Sequence, residues 1–144
     1  MPKMIFVNLP VADLGRSTAF YEAIGCEKNE AFSNEQAAMM VWSDTISFML
    51  LTHDFYRGFT SKPIADTQAN SAMLLCLSRD SRTEVDAIAE AALTAGGREH
   101  REAQDMGFMY SRAFEDPDGH VFEPMWMDAD AATAAMSSQP AEAA

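Results

Sequence analysis

The sequence is short of cationic side chains, of cysteine and of long apolar runs, and each shortage removes a class of function. Ten lysines and arginines stand against twenty-two aspartates and glutamates, a formal charge of −12. A field of that sign repels phosphate backbones and anionic headgroups, so neither nucleic acid nor a membrane is expected as a partner. The two cysteines, Cys26 and Cys76, lie far apart with no Cys-x-x-Cys spacing. They indicate neither a redox motif nor a cysteine zinc site, and Cys76, inside an apolar strand, is expected to be a small buried hydrophobe. No apolar stretch approaches the ~20 residues that span a bilayer. Met1-Pro2-Lys3-Met4 runs into a strand without a cleavable leader pattern, which points to the cytoplasm.

What is present is ordinary for a globular chain. Hydrophobic residues make up 48% and charged residues 22% of 144 residues, enough for one domain with a real core. Met4 to Leu9 alternates as a strand, with Ile5, Val7 and Leu9 on one face and Phe6 and Asn8 on the other. Asp13 is an N-cap for a helix carrying Leu14, Ser17, Phe20, Tyr21 and Ile24, and Gly25 closes it. Strands are expected at Cys26 to Phe32, Gln36 to Trp42 and Thr45 to Thr52. The periodicity then lapses, apart from a helical turn around Phe55 to Phe59, and residues 54–70 read as a linker.

The order repeats after the linker. Ala72 to Leu77 is strand-like, and Ser81 with Glu84 makes a capping box ahead of a stripe of Val85, Ile88, Ala89, Ala92 and Leu93 that ends at Gly96-Gly97. Strands follow at Arg98 to Ala103, Phe108 to Phe114 and His120 to Met127, the last entered through the turn Asp116-Pro117-Asp118-Gly119. Both halves therefore read βαβββ, as units 3–53 and 71–128 of one domain over 1–129. The alanine-rich residues 130–144 offer little to bury and are expected to form a disordered tail.

Val11-x-Asp13-Leu14-x-x-Ser17-x-x-Phe20-Tyr21 with Ile24-Gly25, and Phe114-Glu115-Asp116-Pro117-Asp118-Gly119-His120-x-Phe122-Glu123, resemble the opening and closing motifs of the vicinal-oxygen-chelate superfamily. That group includes glyoxalases, bleomycin resistance proteins and extradiol dioxygenases, and this chain most resembles its lactoylglutathione-lyase-like branch. The resemblance implies an α+β fold, two βαβββ units forming curled mixed sheets around a cavity with the helices outside. It also implies a homodimer, and a metal held by four inward-facing ligands that supports lyase, isomerase or dioxygenase chemistry.

Carried over position by position, that metal set is depleted. The first ligand position falls on Phe6, the second on Met49 or Leu50, and the third on a strand without His, Gln, Asp or Glu; only the fourth, Glu123, matches. One carboxylate does not hold a catalytic metal, so no cofactor is expected, and the chain reads as a protein that binds a small organic molecule. Glu123, in an otherwise apolar strand, is the candidate catalytic or ligand-holding carboxylate, the alternative being a structural pair with Arg112 or a backbone donor. Phe6, Asn8, Trp42, Met49 and Met125 are the expected cavity lining. The rival reading is a rebuilt site of His53, His100 and Glu123 holding nickel, zinc, manganese or iron. His120 reads as a solvated turn residue, and Phe55, Tyr56 and Phe59 as a lid or dimer contact.

Overall fold

A computed structural model describes residues 2–138. The first unit runs β1 (Ile5–Val11), α1 (Leu14–Ala23), β2 (Glu27–Asn29), a 3-10 turn (Glu30–Phe32), β3 (Ala37–Val41) and β4 (Ile46–Thr52). A single helical turn, α2 (His53–Tyr56), opens the linker. The second unit runs β5 (Leu74–Ser78), α3 (Arg82–Thr94), β6 (Arg98–Asp105), β7 (Met109–Glu115) and β8 (Val121–Met127), and α4 (Ala129–Ser138) follows. The expected double βαβββ order is present.

The local signals work as their chemistry dictates. Asp13 accepts the Arg16 N–H at 3.0 Å to start α1. Gly25, at φ +112°, ends it with Gly25 N donating to Glu22 O and Cys26 N to Tyr21 O, the paired bonds that a left-handed glycine permits. Ser81 caps α3 by accepting the Glu84 N–H at 3.1 Å. The Glu84 carboxylate, which a full capping box would turn back, instead takes Arg79 at 2.8 Å. Two expectations fail at the end of the chain and in β5. Residues expected to fray form α4, whose Ala132 is 7% exposed and whose Ala131 N–H is capped by Asp128; the remainder of that tail, 139–144, lies outside the described residues. Cys76 is exposed, because alternation along β5 sends Leu77 to the core and Cys76 to the other face.

Each unit makes a four-stranded mixed sheet, β1-β4-β3-β2 and β5-β8-β7-β6, with the β1/β4 and β5/β8 pairs parallel. One core joins them. Leu9, Val11, Phe48 and Leu50 of the first sheet, Phe20 and Tyr21 of α1, Ile88 and Ala92 of α3, and Leu77, Phe114 and Phe122 of the second sheet form a single buried cluster. Rings cross between the units, Phe48 to Phe122 at 5.4 Å and Phe20 to Phe114 at 6.0 Å. Thus the helix-bearing faces of both sheets share the interior of the chain, with α1 against α3. The opposite faces stay open, and one chain closes no barrel.

Candidate functional site

The two resembling motifs meet, and what they build is a buried clasp. Tyr21 Oη donates to Asp116 Oδ2 at 2.7 Å, and Asp116 Oδ1 accepts from the backbone N–H groups of Asp118 and His120 at 2.9 and 2.8 Å. Asp118 accepts from Ala12 N and Ser17 Oγ at 2.9 and 3.2 Å. His120 is not a solvated turn residue; it is 5% exposed and donates Nε2–H to Pro10 O at 2.9 Å. Burial holds the Asp116 carboxyl above the usual carboxylate range, against the pull of His120 and of its hydrogen bonds, and pushes the Tyr21 phenol well up. The Tyr21 hydroxyl, both carboxylates and His120 Nε2 all have partners in the other unit or in their own turn. The motifs lock the units together and leave no reactive group free.

The open faces are where ligand chemistry can occur, and they differ. On the first sheet, strand register aligns Asn8, Met49, Met39 and Asn29 in one row, with Phe6 two residues along β1. Met4, Phe6, Phe32, Met39 and Met49 line a wholly apolar recess of about 520 Å³. Phe6 is 48% and Phe32 66% exposed, large apolar surface of a kind that marks a binding face.

The second sheet's open face is polar. Cys76, Arg101, Gln104, Met109, Ser111, Glu123 and Met125 line a recess of about 170 Å³. Arg101 lies opposite Ala113 in register, reaches over that small side chain, and binds Glu123 Oε2 and Ser111 Oγ at 3.0 and 3.2 Å. Cys76 lies opposite Glu123; partial burial and then the Glu123 charge raise its pKa, with Arg101 opposing, so the thiol stays protonated at neutral pH.

The expected site residues divide accordingly. Phe6, Met49 and the exposed Asn8 share the apolar face, while Glu123 and Met125 share the polar one; Phe6 and Met49 line one recess and Glu123 and Met125 another. Trp42 belongs to neither. It packs against the core, with the Arg79 guanidinium 5.5 Å from its ring, because it lies one residue past Val41 on the side of Met40. The partner of Glu123 is Arg101, which the sequence reading missed, and not Arg112. Alternation along β7 turns Arg112 the other way, onto Asp86, Glu90 and Glu99 at 3.3, 3.2 and 3.6 Å. Phe55 and Phe59 stack edge to face at 5.2 Å within the linker, with Phe59 69% exposed.

The residues present do not fit the metal that the resemblance implies. Phe6 and Met49 offer no hard donor, β5 supplies none of His, Gln, Asp or Glu, and Glu123 is committed to Arg101. The alternative set is not assembled. His100 pairs with Glu115 at 3.0 Å, His53 lines a cleft beside α2, and Glu123 lies on the polar face. Among the described residues no group of three or more His, Cys, Asp or Glu could hold a metal ion. Among them, too, no helix is long and apolar enough to cross a membrane.

Comparison with known proteins agrees with this architecture. Residues 3–43 match the model of the bleomycin resistance protein-like N-terminal family; no curated protein matches. Among solved structures, a glyoxalase/bleomycin resistance protein/dioxygenase family enzyme from Burkholderia phytofirmans is 17% identical at TM-score 0.75, covering 88% of this chain and all (100%) of that one. A glyoxalase-related enzyme from Fulvimarina pelagi is 21% identical at TM-score 0.73, covering 88% of each chain. The fosfomycin resistance protein of Listeria monocytogenes is 19% identical at TM-score 0.66, covering 90% of this chain and 97% of that one. The chain thus has the fold of the glyoxalase/bleomycin resistance protein/dioxygenase structures it is similar to, and its residues 3–43 resemble a bleomycin resistance protein-like N-terminal region.

Proposed function

We propose that this chain is a metal-free small-molecule-binding protein whose binding space forms between two copies, the apolar face of one protomer closing on the polar face of the other. The observation that carries this is the division of lining residues. An apolar recess with no polar contribution and a recess centred on Arg101 and Glu123 belong to one chain yet open separately. Each is open to solvent in the single chain; closed on one another they would make a cavity with an apolar body and one polar end. A two-fold dimer would form two such cavities.

The ligand this suits is a small organic molecule with an apolar portion against Phe6, Met39 and Met49. Its hydrogen-bonding group would meet the Glu123 carboxylate, whose charge Arg101 balances. Glu123 serves here as a ligand-holding group. Its ion pair with Arg101 at 3.0 Å favours that role over proton abstraction, for which the carboxylate would have to give up the pair.

The test is sedimentation, metal analysis and dye binding on untagged protein. Wild type should sediment as a dimer, carry less than roughly a tenth of an equivalent of nickel, zinc, manganese or iron after loading, and bind 1-anilinonaphthalene-8-sulfonate saturably. Met39→Glu should be monomeric and lose the dye site. A wild type that stays monomeric at tens of micromolar, a concentration at which functional dimers persist, overturns the composite cavity. Near-stoichiometric, saturable metal overturns the metal-free reading.

A further inference from the structure

A further cleft, sharing no lining residue with either recess, lies where the units and the linker meet. About 430 Å³ in volume, it is bounded by the end of β1, the start of α1, α2, residues 64–68 and the Asp116–Gly119 turn. Its distinguishing feature is charge. In a chain with twenty-two acidic residues, Arg16 and His53 both line this cleft, and among the described residues neither side chain has a hydrogen bond or ion pair. Arg57 joins them. Its one ion pair, to Asp54 at 3.0 Å, spans a single helical turn, and the Asp54 side chain is 93% exposed; a contact of that kind holds a guanidinium only weakly.

The cleft's own carboxylates, Asp66 and Asp118, form no ion pair with these groups among the described residues. Both oxygens of Asp118 are committed to Ala12 N and Ser17 Oγ, and Asp66 Oδ1 to Gln68 N. Pro10, Ile64 and Pro117 give the rest of the wall an apolar character. Arg16 and Arg57 are exposed and solvated, so they are available to a ligand, and two guanidiniums and an imidazole around one concave space make a local site for negative charge in an otherwise acidic protein.

We propose that this cleft binds a compact oxyanion, a carboxylate or phosphate group, between Arg16, Arg57 and His53. A guanidinium fork matches such groups with two parallel donors, and His53 adds a third. An anion held there would bridge α1, α2 and the linker, and so tie the first unit to the turn of the second.

The test is an amide NMR titration of the full chain with sodium phosphate and, separately, sodium acetate at constant ionic strength. At least one anion should give saturable shifts with a dissociation constant on the order of millimolar or tighter, and Arg16→Ala or Arg57→Ala should weaken it about ten-fold or more. Neither arginine supports the fold through a buried contact, so both variants should melt as wild type does. Lys3→Ala, which removes the same charge far from the cleft, should bind unchanged. Linear, unsaturating shifts with both anions overturn the proposal, as does saturable binding that both arginine variants retain or that Lys3→Ala weakens equally.

Discussion

If the shared motifs serve the fold and not the chemistry, then Tyr21→Phe should lower stability and leave ligand binding intact. The phenylalanine ring keeps the contacts of the tyrosine ring with Phe20, Phe48 and Phe122 at 5.4, 5.8 and 5.8 Å. What is lost is one hydrogen bond of 2.7 Å to the carboxylate of Asp116, a residue 2% exposed. A hydrogen bond to a buried charged acceptor contributes about 1.5–3 kcal/mol. Asp116 Oδ1 keeps its two backbone donors, so the expected loss is in the middle of that range, about 2 kcal/mol. For a chain of this size that lowers Tm by about 4–8 °C and the urea midpoint by about 1 M at unchanged m.

Urea unfolding followed by tryptophan fluorescence, at one fixed protein concentration, reads this directly. The pH dependence supplies a second check. Burial raises the folded pKa of Asp116, so its ionisation works against the fold, a penalty absent below the unfolded pKa and growing as pH rises through the folded one. Tyr21 relieves that penalty. The deficit of Tyr21→Phe should therefore be largest near neutral pH and shrink below about pH 4, where Asp116 is protonated in both states. A deficit under about 0.5 kcal/mol at pH 7, or one that grows on acidification, refutes the clasp as described.

Two further perturbations test the frame around the site. Gly119 sits at φ +89°, and a Cβ there would meet Thr67 O at 2.4 Å; Gly119→Ala should lose at least about 2 kcal/mol in urea unfolding. Gly107→Ala, at φ +81° with open space around it, should lose only the backbone component, about 1 kcal/mol. The second perturbation concerns Arg82, which lies over the rings of Tyr110 and Trp126 and binds both oxygens of Asp105 at 2.7 and 2.9 Å. That hydrogen bonding lowers the Asp105 pKa to about 2, so its contribution is full above the unfolded pKa near ~3.9 and is lost as pH falls toward the folded value. Urea midpoints of wild type and Asp105→Asn should differ at pH 6 and converge between about pH 4 and pH 2; a constant gap would show that the ion pair is not the cause.

Local chemistry by itself determined the element order of this protein. Asp13, Gly25, Ser81 and Gly96 are caps whose hydrogen-bonding needs are met within a few residues, and alternation in β1 placed Leu9 inward and Phe6 outward because side chains on a strand alternate whatever the sheet packs against. Which residue types stand at Phe6, Met49 and Glu123 is equally plain from the sequence, since a residue type at a strand position does not depend on the fold. Tertiary structure decided what those positions face. The helix-bearing sides of the two sheets buried each other, so Phe6 and Met49 became one open face and Glu123 and Met125 another, a separation that no spacing along the chain encodes. The partner of Glu123 needed strand pairing, because irregular register in β6 lets Arg101 cross Ala113 while alternation in β7 turns Arg112 to α3. His120 looked like a turn residue and became a buried donor because the turn that carries it packs on Pro10, 110 residues away in sequence; only the folded chain brings those two together.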